Sequence, residues 1–188
     1  MIKSKADLKR YMAQDAKAYN RKKPKFFGDE TFKFVRTMRR LEYYTNTKGL
    51  FHKPLKLLYR YIYHKKSVKF HFIVPINTCE EGLCLIHYGY LGISMDAHVG
   101  KNCKIHPGVL LAPTSGKKGA PKIGNNVYIG PGAKIIGDIT IADNVAIGAS
   151  AVVTKSVTEP SITVAGIPAK KISNNDSKCH LSPALDLQ

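Results

Sequence analysis

The sequence predicts a mainly β protein: a parallel β-helix of hexapeptide repeats with a basic α-helical extension at its N-terminus. Three observations carry that expectation. From residue 93 onward an aliphatic residue returns every six positions. Before residue 72 the apolar residues recur at helical spacing instead. The charge divides at the same point. Residues 1–71 hold 20 Lys+Arg and 5 Asp+Glu, a net of +15, while residues 72–188 hold 10 and 8, a net of +2, within a total of +17 over 188 residues. A hydrophobic share of 44% excludes a disordered chain, and the length fits one domain or one domain with an appendage. The expected divisions are a basic helical segment at 1–71, a β-helix at 72–172 and a polar tail at 173–188.

The helical segment reads as three pieces. Ser4 stands before Ala6, Asp7 and Leu8, and Leu8, Tyr11 and Met12 share a helical face. Asp29, Glu30 and Thr31 open a second piece, with acidic residues suited to a helix N-terminus. Its stripe of Phe32, Phe34, Val35, Met38, Leu41 and Tyr44 has a period near 3.6, and Gly49 is its expected stop. A third piece runs from Pro54, at a plausible first helical position, to Lys66. Tyrosines interleave with Arg39, Arg40, Arg60, Lys65 and Lys66. Such a surface suits an anionic membrane surface or a polyanion, or is simply a solvated face over a hydrophobic contact with the body. Sequence-specific nucleic-acid reading is not expected.

In the body, Ile93, Val99, Ile105 and Leu111 lie six apart, and so do Ile123, Ile129, Ile135, Ile141, Ile147 and Val153. Both sets keep one phase. Lys117 breaks it inside a Gly/Pro/Lys-rich stretch, 112–122, which reads as an excursion loop. Four residues after each aliphatic comes a small or β-branched residue, as at Ala97, Cys103, Val109, Val127, Ala133, Ile139, Val145, Ala151 and Val157. Asparagine corners such as Asn102 and Asn125–Asn126 tolerate left-handed backbone. Each unit is then a short strand and a turn with one aliphatic pointing inward. A single unit cannot bury that face, so the units must stack, and three faces per coil make a triangular prism. The tail after residue 172 has no repeat and is expected to be mobile.

The repeat pattern and the ending Thr163-Val-Ala-Gly-Ile-Pro-Ala-Lys-Lys-Ile172 resemble the hexapeptide-repeat acyltransferases. Gly82-Leu-Cys-Leu-Ile-His87, Pro121-Lys-Ile-Gly124 and Ile129-Gly-Pro-Gly-Ala-Lys-Ile-Ile-Gly-Asp138 are similar to the serine acetyltransferases, most of all to the branch in capsule and exopolysaccharide clusters. The resemblance covers about residues 72–172. It implies a left-handed β-helix, acetyl-CoA as donor substrate, no metal, transfer to a saccharide hydroxyl or L-serine, and a homotrimer with sites between subunits.

Such a transfer needs a neutral imidazole to take the hydroxyl proton and N–H donors for the oxyanion. The resemblance places His87 as base. His87 also falls on the inward phase of the repeat, where a buried structural histidine is the ordinary outcome; the irregular first coil, with Gly82, Gly89 and flanking tyrosines, is expected to shift it outward by one residue. His106 is the second candidate. Carried over by motif, acetyl-CoA runs along the later coils past Ala133, Ala151, Thr154 and Lys155, with Lys170 and Lys171 near its phosphates.

Three family positions differ. The aspartate that orients the imidazole aligns with Phe72, leaving Glu80, Glu81 or Asp96 as substitutes. The family's second histidine is Ala120 and the preceding arginine is Gly119. Those residues help hold the amino-acid substrate, so their loss favours a sugar acceptor. The alternatives from other classes are a non-catalytic β-helix scaffold and a protein that binds nucleic acid or membrane through its basic helices.

Cys79, Cys84, Cys103 and Cys179 show no C-x-x-C or zinc-finger spacing and read as free thiols of a reducing compartment. No P-loop, Gly-x-Ser-x-Gly elbow or His-Glu-x-x-His occurs. The N-terminal residues lack the apolar core of a secretory signal, and no apolar run nears the roughly 20 residues that span a bilayer. The expected location is cytoplasmic, including the inner face of the membrane.

Overall fold

Three helices precede the coil. Helix α1 spans Lys5–Ala18, capped by the Ser4 hydroxyl, which accepts the Asp7 N–H at 3.0 Å. Helix α2 spans Glu30–Asn46 and buries Phe32, Phe34, Val35, Met38 and Leu41, the stripe its period requires. It ends three residues before Gly49, because Thr47 bonds back to the Tyr43 carbonyl through both its N–H and its hydroxyl. Helix α3 spans His52–Phe70, beginning two residues before Pro54 and ending four beyond Lys66. Pro54 sits within the first turn, where backbone N–H groups have no partner inside the helix, so its missing donor costs nothing there. The computed structural model describes residues 1–185 and 187; Asp186 and Gln188, which fall in the expected tail, lie outside the described residues.

From Phe72 the chain winds into short parallel strands on three faces. One face stacks Phe72–Ile73, Leu91–Ile93, Leu110–Ala112, Lys134–Ile136 and Val152–Val153. A second stacks His98–Val99, Lys122–Ile123 and Thr140–Ile141. The third stacks Cys84–Leu85, Lys104–Ile105, Tyr128–Ile129, Ala146–Ile147 and Thr163–Gly166, and closes with the antiparallel strand Ala169–Ser173. Register follows the repeat. Ile93 pairs with Leu111, Ile129 with Ile147 and Ile135 with Val153, three hexads apart. Val99 pairs with Ile123, one hexad further, which is the length of the excursion between the first and second faces. All ten phase aliphatics are buried.

Close stacking explains two sequence preferences. A Cβ on Gly100 would lie 2.5 Å from the Gly124 carbonyl oxygen of the next coil, so the position admits only glycine. Asn102, Asn126 and Asn144 all take left-handed backbone at one corner and form a ladder. Asn102 donates to Asn126 at 3.0 Å and Asn126 to Asn144 at 2.9 Å.

The helices meet the first coil through buried charge. The Arg39 guanidinium donates to Asp15 at 2.9 Å, to Glu42 at 3.1 Å, and to the carbonyls of Cys79 and Glu80 at 2.8 and 2.6 Å. Asp15 in turn accepts the N–H groups of Gly82 and Leu83 at 2.8 and 2.9 Å. Arg39, Asp15 and Glu42 each have partners in this cluster, which is what burial of charge demands.

The tail departs from the expected mobile segment. Leu181 and Leu185 pack against Ala18 and Cys84. Ser177 is fully buried and donates to the Asn126 carbonyl, Thr163 donates to that of Asn175, and Ser182 to that of Lys17. Polar composition concealed two apolar anchors spaced to grip the outer surface of the third face.

Candidate active site

The first coil is two residues longer than the rule. Leu85 pairs with Ile105, twenty positions on, so Leu85 takes the inward place that the repeat assigns to His87. The displacement is therefore two residues, not one. His87 lies past the strand at the corner between the third and first faces, in left-handed backbone (φ +56) and exposed. The corner is fixed from below: Gly89 N–H donates to the Phe70 carbonyl and Leu91 N–H to that of His71, both at 3.1 Å, and Tyr88 stacks on Phe70. The end of α3 thus positions the segment that carries His87.

His106 lies one coil along on the same corner. Its N–H donates to the Ile129 carbonyl, and its half-buried ring meets Tyr128 edge-on at 5.2 Å. Burial holds its imidazole below the ordinary value, and the positive charges of Lys104, His87 and His180 push the same way. A neutral imidazole near neutral pH can accept a proton. His180 comes from the tail: it stacks on Tyr128 at 4.4 Å, and its carbonyl accepts Lys104 Nζ at 2.7 Å. Sequence reasoning missed Lys104, Tyr128 and His180, because only a placed tail brings the third histidine here.

The proposed substitute carboxylates are elsewhere. Glu80 accepts from Tyr11, and Glu81 pairs with Arg10 at 2.7 Å and Lys101 at 3.3 Å, so both serve the seam with α1. Asp96 is exposed at the corner between the first and second faces. Among the described residues none pairs with His87. Phe72, at the aspartate's aligned position, is buried against Phe34 and Phe70 in a hydrophobic core that would exclude a carboxylate. At the excursion, Ala120 is buried, and Gly119 takes φ +92 with its Cβ position 2.5 Å from Asp138 Cβ, so neither place offers a polar arm and an arginine at 119 would be strained.

The expected cofactor residues divide. Ala133 and Ala151 are core positions whose side chains face the prism interior, so they cannot touch a ligand outside it. Thr154 and Lys155 are exposed at the corner from which the excursion departs. Lys170 and Lys171 are exposed on the closing strand, and Lys171 is paired with Glu159 at 2.5 Å. The two histidines share a corner; the lysines stand at the other end of the prism. The three buried thiols are inert: burial pushes Cys79 to about 11 and Cys84 and Cys103 to about 12, while Cys179 is exposed on the tail. No group of three or more His, Cys, Asp or Glu able to hold a metal occurs among the described residues. No helix among them is long and apolar enough to cross a membrane.

Comparison with known proteins agrees with this fold. Residues 120–155 match the bacterial transferase hexapeptide (six repeats) family. The serine acetyltransferase of Synechococcus elongatus is 41% identical over 103 residues, covering 53% of this chain and 41% of that protein. That of Staphylococcus xylosus is 47% identical over 78 residues, 40% of this chain and 36% of that one. The chain thus spans about two fifths of the length of the curated relatives it matches. The crystal structure of the Brucella abortus serine acetyltransferase superposes over 93% of this chain and 72% of that one, with a TM-score of 0.71 and 28% identity. The same enzyme in complex with coenzyme A gives a TM-score of 0.70 at 28% identity, over 91% of this chain and 70% of that one. In both repeat and fold, the chain is similar to the hexapeptide-repeat serine acetyltransferases.

Proposed function

We propose that the protein is an acetyl-CoA-dependent O-acetyltransferase with His87 as general base. The observation that carries this reading is the two-residue lengthening of the first coil, which moves a histidine from the core to an exposed, backbone-fixed corner. His87 takes the acceptor hydroxyl proton as the oxygen attacks the thioester carbonyl. The tetrahedral intermediate collapses, breaking the carbon–sulfur bond, and the imidazolium returns its proton to the departing thiolate. His106, kept neutral beside it, is placed to hold the acceptor or to serve as base in its stead. Lys155, Lys170 and Lys171 are the candidates for the phosphates of the donor, with Thr154 beside them.

The excursion leaves from a different corner than the one bearing His87. In one chain the two do not meet, and an exposed histidine cannot enclose a thioester. Both features support a homotrimer in which the loop of one copy faces the His87 of the next. The acceptor is a saccharide hydroxyl in preference to L-serine, because Gly119 and Ala120 provide nothing to hold an amino acid. The relatives' structures include a complex with serine, from Neisseria gonorrhoeae, so serine remains the control acceptor. The work is done in the cytoplasm, on precursors of capsule or exopolysaccharide at the inner face of the membrane.

Thiol release from acetyl-CoA with a panel of sugars and L-serine tests the reading. The expected result is turnover with a sugar that falls on the order of a hundredfold to ten-thousandfold in His87→Ala. Turnover unimpaired in His87→Ala would move the base to His106. A second reading, a non-catalytic scaffold, is favoured by the buried Phe72 where an orienting carboxylate is expected; failure to bind or turn over acetyl-CoA would establish it.

A further inference from the structure

We infer that the outer face of α3 is a docking surface for an anionic lipid membrane. Helix α3 carries six cations, Lys53, Lys56, Arg60, Lys65, Lys66 and Lys69, and no acidic residue. Only Phe70 is buried, so the helix lies on the protein with half its circumference open. Along that open half, Leu57, Tyr61 and Val68 stand at i, i+4 and i+11, one stripe over three turns, and they are 65%, 61% and 62% exposed. Leu58 beside them is 51% exposed. Lys53 and Arg60 flank the stripe on one side and Lys65 and Lys69 on the other, all exposed. An apolar centre bordered on both sides by cations is the cross-section of a helix lying in the headgroup region, with leucine and tyrosine in the acyl boundary and long basic side chains reaching back to phosphate.

The inner side is already committed. Lys66 Nζ donates to the Lys33 carbonyl and the Thr37 hydroxyl of α2, and the Tyr63 hydroxyl donates to the Val74 carbonyl. The stripe is therefore left over after packing, not part of it. Its charge decides the occupant. Pairing this face with its own copy would set cations against cations with no acid on the helix to relieve them. A nucleic acid would leave Leu57 and Val68 without a partner. An anionic bilayer satisfies both halves of the surface at once.

A second segment has the same chemistry, cations beside exposed apolar rings. The loop before α2 holds Arg21, Lys22, Lys23 and Lys25 followed by Phe26 and Phe27, which are 86% and 83% exposed. Lys33 ties this loop to α3, since its Nζ donates to the Phe26 carbonyl while its own carbonyl accepts Lys66.

Co-sedimentation of the full chain with vesicles tests the proposal without calling on catalysis. Vesicles of phosphatidylcholine with phosphatidylglycerol should bind it, pure phosphatidylcholine should not, and binding should weaken as salt rises. The triple variant Leu57→Gln/Tyr61→Gln/Val68→Gln should bind roughly tenfold or more weakly, and Lys53→Gln/Arg60→Gln/Lys65→Gln likewise. Both should keep the parent's circular dichroism, oligomeric state and thiol release from acetyl-CoA. Equal binding to neutral vesicles, or unchanged binding of both variants, overturns it. So does a change of oligomeric state in the apolar variant, which would give the stripe to a second copy, or tighter binding to duplex or single-stranded nucleic acid than to anionic vesicles. Loss of thiol release in His87→Ala with vesicle binding intact keeps the two proposals separate.

Discussion

Along the prism each coil buries the same aliphatics in the same register, whereas the seam between the prism and its helices gathers its buried charge around one guanidinium. Ile93 above Leu111 and Ile129 above Ile147 are interchangeable units of one pattern. Arg39 has no counterpart among the described residues, where it alone joins Asp15 of α1, Glu42 of α2 and two carbonyls of the first coil. Repetition spreads stability over many small contacts. The seam concentrates it where a single loss exposes several partners.

That contrast can be broken at its strongest point first. Arg39→Met should cost about 3–5 kcal/mol, because it strands two buried carboxylates and two carbonyls. Chemical denaturation monitored by circular dichroism measures it. A cost below that of a core aliphatic would show that the seam does not depend on charge. Replacing Asp15 and Glu42 as well by leucine should recover only part of the loss, since Asp15 also accepts the Gly82 and Leu83 N–H groups, which would then be orphaned.

Within the prism, Ile129→Ala should cost about 2–5 kcal/mol and Ile129→Val about 0.5–1.5 kcal/mol, the ordinary price of a cavity between stacked coils. Equivalent changes at Ile135 should match it closely, because the two positions are equivalent by the repeat. A large difference between them would mean that the coils are not energetically alike.

The difference between the regions also decides what could be read in advance. Periodicity is a local signal repeated ten times, so the inward residues from Ile93 to Val153 were legible one by one. The Asn102 corner was legible for the same reason, since left-handed backbone favours few residue types. The irregular first coil announced itself through Gly82, Gly89 and the tyrosines. The size of its displacement did not, because a two-residue insertion and a one-residue shift leave similar traces in sequence. Arg39 was indistinguishable from Arg36 or Arg40 on a helix full of cations; only the approach of the first coil turns it into a core residue. Leu181 and Leu185 stand too far from any repeat for spacing to place them, and with them went His180 and the third member of the imidazole group.

The smallest effect examines the junction of these two kinds of order, where the tail lies on the third face. His106 should titrate below 6.5 in the native protein, because burial and the charges of Lys104, His87 and His180 all disfavour its imidazolium. The native state then binds this proton less well than the unfolded chain. The contribution is complete above the unfolded value near 6.5 and is lost as pH falls from there toward the folded value. His106→Gln should flatten that acid limb. Removing residues 177–188 takes away both the stacked His180 and the cover over Tyr128, and each change relaxes the same penalty. The His106 resonances, followed by NMR across pH, should therefore move their midpoint upward toward 6.5 in the shortened chain. Lys104→Met should give a shift of the same sign. A midpoint unmoved by the truncation would mean that the tail does not rest against the histidine corner in solution.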